Sequence, residues 1–218
     1  MDDASLRKIA AQLGCPNGEA GSTIAEQMNV GNAFITERSI EMLNSKPEEW
    51  IAEIGPGNGA LSIPIVASIG NNGHFIGLER SDDMAGQASR TLGEIGPAQV
   101  TIHKGDCMNA PIDAATIDGV LAVNVLYFID DLDALFTKIS GWLKTGSRAV
   151  FGLRSAKSLE GMPFTRFGFH IRSLEKITEA LQTNGFADVQ SAYFEEGTAS
   201  LGDLEFLVDS LIIKAVAK

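Results

Sequence analysis

Cysteine is nearly absent from this chain. Cys15 and Cys107 stand far apart and outside any Cys-x-x-Cys spacing, which leaves no disulfide framework and points to free thiols in a reducing compartment. Histidine is almost as scarce: His74, His103 and His170 are scattered and supply no metal-ligand spacing. Basic residues are also in deficit, 17 against 28 acidic ones, for a formal charge of −11. That balance argues against a nucleic-acid backbone or an anionic membrane surface, both of which need a basic field. No apolar run approaches the ~18 residues of a membrane span, and Met1-Asp2-Asp3 lacks the basic-then-apolar opening of a secretory leader. The expectation is a cytoplasmic chain with no metal, no nucleic-acid partner and no membrane span. Internal repeats and low-complexity segments are missing too. What remains is ordinary globular material, 44% hydrophobic and 21% charged over 218 residues, enough for one α/β domain with a sizeable core.

Glycine, by contrast, is concentrated where it matters. Trp50 to Ser62 reads as a short apolar strand ending at Glu53, then Gly55, Gly57 and Gly59 at alternate positions, then a helix opening over Asn58 to Leu61. Glycine is needed where the backbone turns at positive φ or where a ligand approaches the main chain. In an open α/β sheet that place is the carboxyl end of the first strand. Gly55-x-Gly57-x-x-Ala60 fits the dinucleotide pattern, which cradles a pyrophosphate on a helix N-terminus. Glu53 speaks against it. A carboxylate beside a pyrophosphate is a like-charge contact of about 4 kcal/mol at ~4 Å and an effective dielectric of ~20.

The rest of the chain alternates. Residues 1–49 read as helical pieces: Leu6, Ile9, Ala10 and Leu13 on one face, a loop at Cys15 to Ser22, and a short helix with Ile24, Ala25 and Met28. That helix is broken at Asn29 to Asn32, and a third follows with Ile35, Ser39, Met42 and Leu43 on one stripe. After the glycine loop comes a helix through Ile69 in which Pro64 predicts a loosened turn or kink. The second strand is His74 to Leu78, ending in Glu79-Arg80; Ser81 to Asp83 cap the next helix. The third strand is Val100 to His103, before Gly105-Asp106, and the fourth Gly119 to Val125, interrupted by Asn124. A helix opening at Asp130 or Asp131 ends at Lys144-Thr145-Gly146, with glycine in the C′ position. The fifth strand is Arg148 to Leu153, and Arg154 to Arg172 reads as irregular. A last helix opens at Ser173, and strands near Asp188 to Phe194 and Glu205 to Ala217 follow. Their connection, Gly197 to Gly202, is too short for a crossover and predicts antiparallel pairing.

Several motifs together resemble the class I S-adenosylmethionine-dependent methyltransferases. Glu53 to Gly59 resembles the family's E/D-x-G-x-G-x-G motif, Glu79 its acid at the end of strand two, and Gly105-Asp106 its third motif. Asp118 to Leu126, Leu143 to Gly146 and Leu181 to Val189 resemble its later motifs, with Thr145 where a proline is usual. The likeness covers roughly residues 33–217 and is similar to the small-molecule group that includes the ubiquinone and menaquinone C-methyltransferases. It implies a Rossmann-like, doubly wound α/β fold with a seven-stranded sheet in the order 3-2-1-4-5-7-6 and the last strand antiparallel. Residues 1–218 then form a single methyltransferase domain, with 1–49 as an N-terminal helical extension over a core at 50–218. It also implies S-adenosylmethionine as cofactor, S-adenosylhomocysteine as its product, no metal, and a small-molecule acceptor. Glu53 suits a ligand carrying an α-ammonium and a sulfonium. Glu79, with Arg80 beside it, is expected at the ribose. Asp106, Cys107 and Met108 are expected at the adenine with Met84 against it, and Asn124 at the methionyl part. Gly55, Gly57 and Gly59 line the approach.

The acceptor side is thinner. Arg154 to Arg172 reverses the chain's sign, with Arg154, Lys157, Arg166, Arg172 and His170 against Glu160, and carries Phe164, Phe167 and Phe169. Arg154, Phe164, Arg166 and Phe167 are the expected substrate contacts, with His170 and Tyr127 as candidate bases. Residues 1–35 and 154–172 would form a cover over the methyl-donating end. Two other readings stay open at this point: a nicotinamide-dependent oxidoreductase, and a module that binds the cofactor without turnover. The first finds no Tyr-x-x-x-Lys pair.

Overall fold

The computed structural model describes residues 1–96, 98–201 and 204–218. Seven strands form one sheet: β1 (Trp50–Ile54), β2 (His74–Glu79), β3 (Gln99–Lys104), β4 (Ile117–Val123), β5 (Leu143–Leu153), β6 (Phe186–Leu201) and β7 (Leu204–Ala217). Their order is β3-β2-β1-β4-β5-β7-β6. The first five run parallel, and β7 pairs antiparallel with both β5 and β6. This is the sheet order implied by the resemblance.

Period-two alternation sorts the central strands between two apolar layers. Ala52, Ile54, Phe151 and Leu153 face one layer, closed by α5 (Leu132–Trp142) and α7 (Leu174–Thr183) through Phe136, Ile139, Ile177 and Leu181. Ile51, Phe75, Leu121 and Val150 face the other, closed by α2 (Gly18–Leu43), α3 (Ile63–Ile69) and α4 (Asp82–Gly93). Burial on both faces explains why these strands read as apolar runs. Glu53, between Ala52 and Ile54, therefore projects into the second layer with Ile51.

The N-terminal helices differ from expectation. α1 (Asp3–Gly14) is followed by α2 as one unbroken helix of 26 residues that runs through Asn29-Val30-Gly31-Asn32. Asn and Gly cost about 0.5–1 kcal/mol each inside a helix, and burial of Ala25, Ile35, Ser39 and Leu43 outweighs that. The segment after the glycine loop opens as a 3-10 turn, Ala60–Ser62, before α3 begins. Pro64 falls in the first turn of α3, where no intrahelical bond is lost, so no kink arises. α5 stops at Trp142 and β5 begins at Leu143, paired with Ile117, so Gly146 is a strand residue with φ +81° and not a helix C′. Within the stretch expected to be irregular lies a short helix, α6 (Ala156–Gly161), capped by Ser155. β6 is much longer than expected, while β7 starts only one residue earlier: the register continues to Leu201 opposite Leu204, with irregularities near Asp188 and at Gly197. Residues 202 and 203 of the expected connection lie outside the described residues. No helix among the described residues is long and apolar enough to cross a membrane.

Candidate nucleoside-cofactor site

The carboxyl ends of β1 to β4 open side by side onto a cavity of about 510 Å³. Its floor is built from Gly55–Asn58 after β1, Glu79–Arg80 at the end of β2, Gly105–Met108 after β3 and Asn124–Val125 after β4. Its roof is α2, through Ala25, Met28, Asn29, Asn32 and Thr36, with Pro16 of the α1–α2 link. Every position expected at the cofactor except Gly59 lines this cavity: Glu53, Gly55, Gly57, Glu79, Arg80, Met84, Asp106, Cys107, Met108 and Asn124.

The glycines have different tasks. A Cβ on Gly57, at φ +58°, meets no atom within 4 Å, so the main chain is open to a ligand there. Gly59 is instead a packing residue: a Cβ would come within 3.1 Å of Ala88 Cα in α4. That close helix approach explains why Gly59 stands behind the cavity wall.

Glu79 is buried, and both its oxygens are held by main-chain donors. Gly57 N–H donates to Oε2 at 3.0 Å and Ser81 N–H to Oε1 at 2.8 Å. Burial raises its pKa, and the Ser81 and Gly57 N–H groups oppose the shift. The carboxylate is thus fixed, with lone pairs still available to hydroxyl donors. Ser81 also caps α4 and donates its hydroxyl to Pro16 O, which pins the α1–α2 link to the end of β2.

Glu53 is the more unusual acid. It is 4% exposed, and its Oε2 is buried without a hydrogen-bond partner. Burial pushes its pKa up from 4.5 to about 7; the nearby Ser62 hydroxyl pulls the other way and the Glu79 charge adds to the rise. Ser62 Oγ lies close without completing a bond, since it too has no partner. Asp106 holds the following 3-10 turn by accepting from Met108 N–H at 2.9 Å. Burial, reinforced by Asp106, lifts the Cys107 thiol to about 11, which keeps it protonated.

Two polar ties join the roof to the floor. Asn29 Nδ2 donates to Asn58 Oδ1 at 3.2 Å, and the same oxygen accepts from Ala60 N–H. Asn124, at φ +57°, donates through Nδ2 to Asn32 Oδ1 at 2.9 Å, leaving its own Oδ1 buried and unpartnered. Asn29 and Asn32 fall within the expected cover at residues 1–35, but neither they nor Thr36 were singled out as site residues. Their spacing lies on one helical face, and the signal shows only if α2 is read as unbroken.

The acceptor-side residues are not brought to this cavity. Arg154 is buried between β5, β7 and α2, donating to Glu196, Asp209 O and Ser210 on one side and to Gly31 O on the other. Its position after β5 buries the guanidinium among partners in the fold. Arg166 pairs with Asp3, and Phe167 is covered by the guanidinium of Arg7 at 4.2 Å and that of Arg166 at 4.9 Å. Phe164 packs on the apolar layer beside Phe169. Tyr127 turns inward, stacked on Phe169 at 5.0 Å, and burial drives its hydroxyl pKa upward, away from general-base use. His170 donates its N–H to Tyr127 O and sets its imidazole 3.6 Å from Asp130. Tyr127 and His170 both line a separate small recess instead. The aromatic that does reach the cavity is Phe128, next to Ile129 and Asp130. No group of three or more His, Cys, Asp or Glu among the described residues is arranged to hold a metal ion.

A glycine loop, a fixed acid ending the second strand and a roofed cleft along four parallel strand ends define a Rossmann-like domain built for a nucleoside cofactor. Residues 51–146 match a family model described as a methyltransferase domain. The chain is 25% identical over 170 residues to phosphoethanolamine N-methyltransferase 1 of Zea mays, covering 74% of this chain and 33% of that protein. It is 23% identical over 138 residues to demethylmenaquinone methyltransferase of Desulfitobacterium hafniense, covering 59% and 54%. It thus spans about a third of the one relative and about half of the other. Shorter matches, over 77 and 89 residues, reach ribosomal RNA small subunit methyltransferase A of two bacteria. A geranyl diphosphate methyltransferase solved in complex with S-adenosylmethionine aligns at a TM-score of 0.69 and 17% identity, covering 95% of this chain and 94% of that one. Residues 51–146 are thus similar to a methyltransferase domain, and the fold is that of the S-adenosylmethionine-dependent methyltransferases among the solved structures.

Proposed function

We propose that the protein transfers a methyl group from S-adenosylmethionine to a small-molecule acceptor. The observation that carries this is the pair of buried acids at adjacent strand ends: Glu53 with an unpartnered oxygen and Glu79 with both oxygens fixed. Glu79 accepts from the ribose hydroxyls, each such charge-assisted bond contributing about 1.5–3 kcal/mol. Gly57 leaves room for the cofactor against the main chain, Met84 and Asp106 serve the adenine end, and Glu53 takes the α-ammonium. A buried, partnerless carboxylate suits a cationic ligand as it disfavours a pyrophosphate. Residues 1–218 act as one domain, in which α1 and α2 cover the cofactor.

S-adenosylmethionine supplies, when bound, a methyl group made electrophilic by its sulfonium. The chain's own contribution is orientation and exclusion of water by the α2 roof, effects worth up to ~7–11 kcal/mol in well-aligned systems. A small acceptor is favoured by the roofed cavity and by the charge of −11, which gives a polyanion no general attraction. Incubation with methyl-labelled S-adenosylmethionine and two pools, low-molecular-weight metabolites and total RNA, tests this. Label is expected in the metabolite pool. Label confined to RNA would reject the small-molecule acceptor, and label in neither would reject the transferase.

A further inference from the structure

Arg172 spends its charge on main-chain oxygens. Its guanidinium donates to Leu126 O at 3.2 Å, Ile129 O at 2.8 Å, Asp130 O at 2.6 Å and His170 O at 3.3 Å. Nearby, His170 N–H donates to Tyr127 O at 2.7 Å. The short run 170–172 therefore takes up the carbonyls of Leu126, Tyr127, Ile129 and Asp130. Resting on the transferase reading above, we propose that Arg172 is a positioning residue for the adenine end of the cofactor. Without touching the ligand, it fixes the cavity wall formed by Phe128, Ile129 and Asp130.

That wall needs outside support. Leu126–Phe128 is a single 3-10 turn, and extended backbone follows at Ile129. So short a turn cannot pair all of its own carbonyls, and buried ones require partners. A guanidinium presents its donors in a rigid fork that can hold several diverging carbonyls at once. The rings are held as well. Phe128 lies 4.7 Å from Phe169 and 4.8 Å from Tyr127 between ring centroids, and a Cβ on Gly14 at the end of α1 would come within 3.2 Å of the Phe128 ring. Phe128, Ile129 and Asp130 line the large cavity, whereas Arg172 lies with His170 at the small recess behind them. The segment 154–172 thus reaches the cavity through Phe128.

The two apolar layers decide which end of the ligand this wall serves. Cys107, Met108, Phe128 and Ile129 all pack into the layer closed by α5 and α7. Glu53 projects into the other layer, on the side of the α2 roof with Asn29 and Thr36. The wall therefore shares its side of the sheet with Cys107 and Met108, where adenine is expected, and lies across the sheet from Glu53, where the ammonium is expected. A displaced wall costs affinity in the nucleoside half of the ligand.

Calorimetric titration well below the melting temperature tests the assignment with two probes, S-adenosylhomocysteine and 5′-methylthioadenosine, which keeps the nucleoside and lacks the amino-acid end. Arg172→Lys keeps the charge without the fork, and Arg172→Ala removes both. Each variant is expected to bind both probes about tenfold more weakly, by the same factor. Where the alanine variant does not fold, the lysine variant carries the same test. Phe128→Ala should also weaken both probes, and joining it to Arg172→Lys should add less than about twofold, because the arginine acts through that wall. Affinities of the folded Arg172 variants within about twofold of wild type, with only the melting temperature lowered, would leave Arg172 a scaffold residue and overturn the proposal. Full additivity with Phe128→Ala would overturn it too. So would weaker S-adenosylhomocysteine binding with 5′-methylthioadenosine binding retained, since the effect would then fall at the amino-acid end. Failure of the wild-type chain to bind S-adenosylhomocysteine would remove the underlying transferase reading as well.

Discussion

Glu53 is held in a place that costs the ligand-free fold stability. Its pKa rises from 4.5 to about 7 because burial disfavours the charged form. The sign follows from linkage. A carboxyl that binds its proton more tightly when folded contributes fully below its unfolded pKa and loses that contribution as pH rises through the folded value. The loss from this group therefore runs from about pH 4.5 to about pH 7. At 1.36 kcal/mol per pKa unit it approaches about 3 kcal/mol above that window. Glu53→Gln removes the charge at nearly constant volume. Thermal unfolding of the ligand-free protein is expected to show the variant melting above wild type at about pH 8, with the two converging toward pH 5. The same variant should bind S-adenosylhomocysteine more weakly at pH 8. A melting difference that does not change with pH would mean that Glu53 is not the destabilising carboxylate.

At the scale of elements, α2 decides the shape of the site and Arg154 secures α2. The Arg154 side chain joins Gly31 O to Glu196 and Asp209 O, so the roof helix is tied to the β6–β7 hairpin across the end of β5. Arg154→Lys keeps the charge opposite Glu196 but lacks the fork needed to reach Gly31 at the same time. Denaturant unfolding should lose about 1.5–3 kcal/mol, the worth of a hydrogen bond from a charged donor. Calorimetry should show weaker S-adenosylhomocysteine binding. Lower stability with unchanged affinity would make Arg154 a scaffold residue with no hold on the cofactor. The same two elements mark where the sequence is legible and where it is not. β1, β2 and β4 are apolar runs stopped by Glu53-x-Gly55, Glu79 and Asn124, so the strand ends and most cofactor-side residues can be read directly. α2 cannot, because Asn29 to Asn32 carries local breaking signals that tertiary burial overrides. The basic run Arg154 to Arg172 looks like a substrate patch because chain order hides α6 and the acids opposite it, Glu196 and Asp3, which lie far away in sequence.

For the whole molecule, the sign of the field separates the ligands that this fold could hold. The chain carries −11, and its cavity repeats that bias, with five carboxylates against Arg80. A dinucleotide would bring a pyrophosphate to the loop where Glu53 and Glu79 are buried, and among the described residues would find no cation of this floor other than Arg80 to offset it. In the proposed function, S-adenosylhomocysteine brings a ribose for Glu79 and an ammonium for Glu53, with no phosphate. A ligand that binds only the folded state at ~100 times its dissociation constant stabilises it by about 2.7 kcal/mol. For a chain of this length each kcal/mol moves the melting temperature by roughly 2–4 °C, so a rise of about 5–11 °C is expected with S-adenosylhomocysteine. NAD and NADP should leave the transition where it is. Because occupation of Glu53 by an ammonium relieves its buried charge, the rise should be larger at about pH 8 than at about pH 5.5, where the carboxyl is already protonated and must release a proton to bind. A shift with NAD and none with S-adenosylhomocysteine would reverse the ligand assignment. An S-adenosylhomocysteine shift that is independent of pH would keep the cofactor and remove Glu53 from its ammonium end.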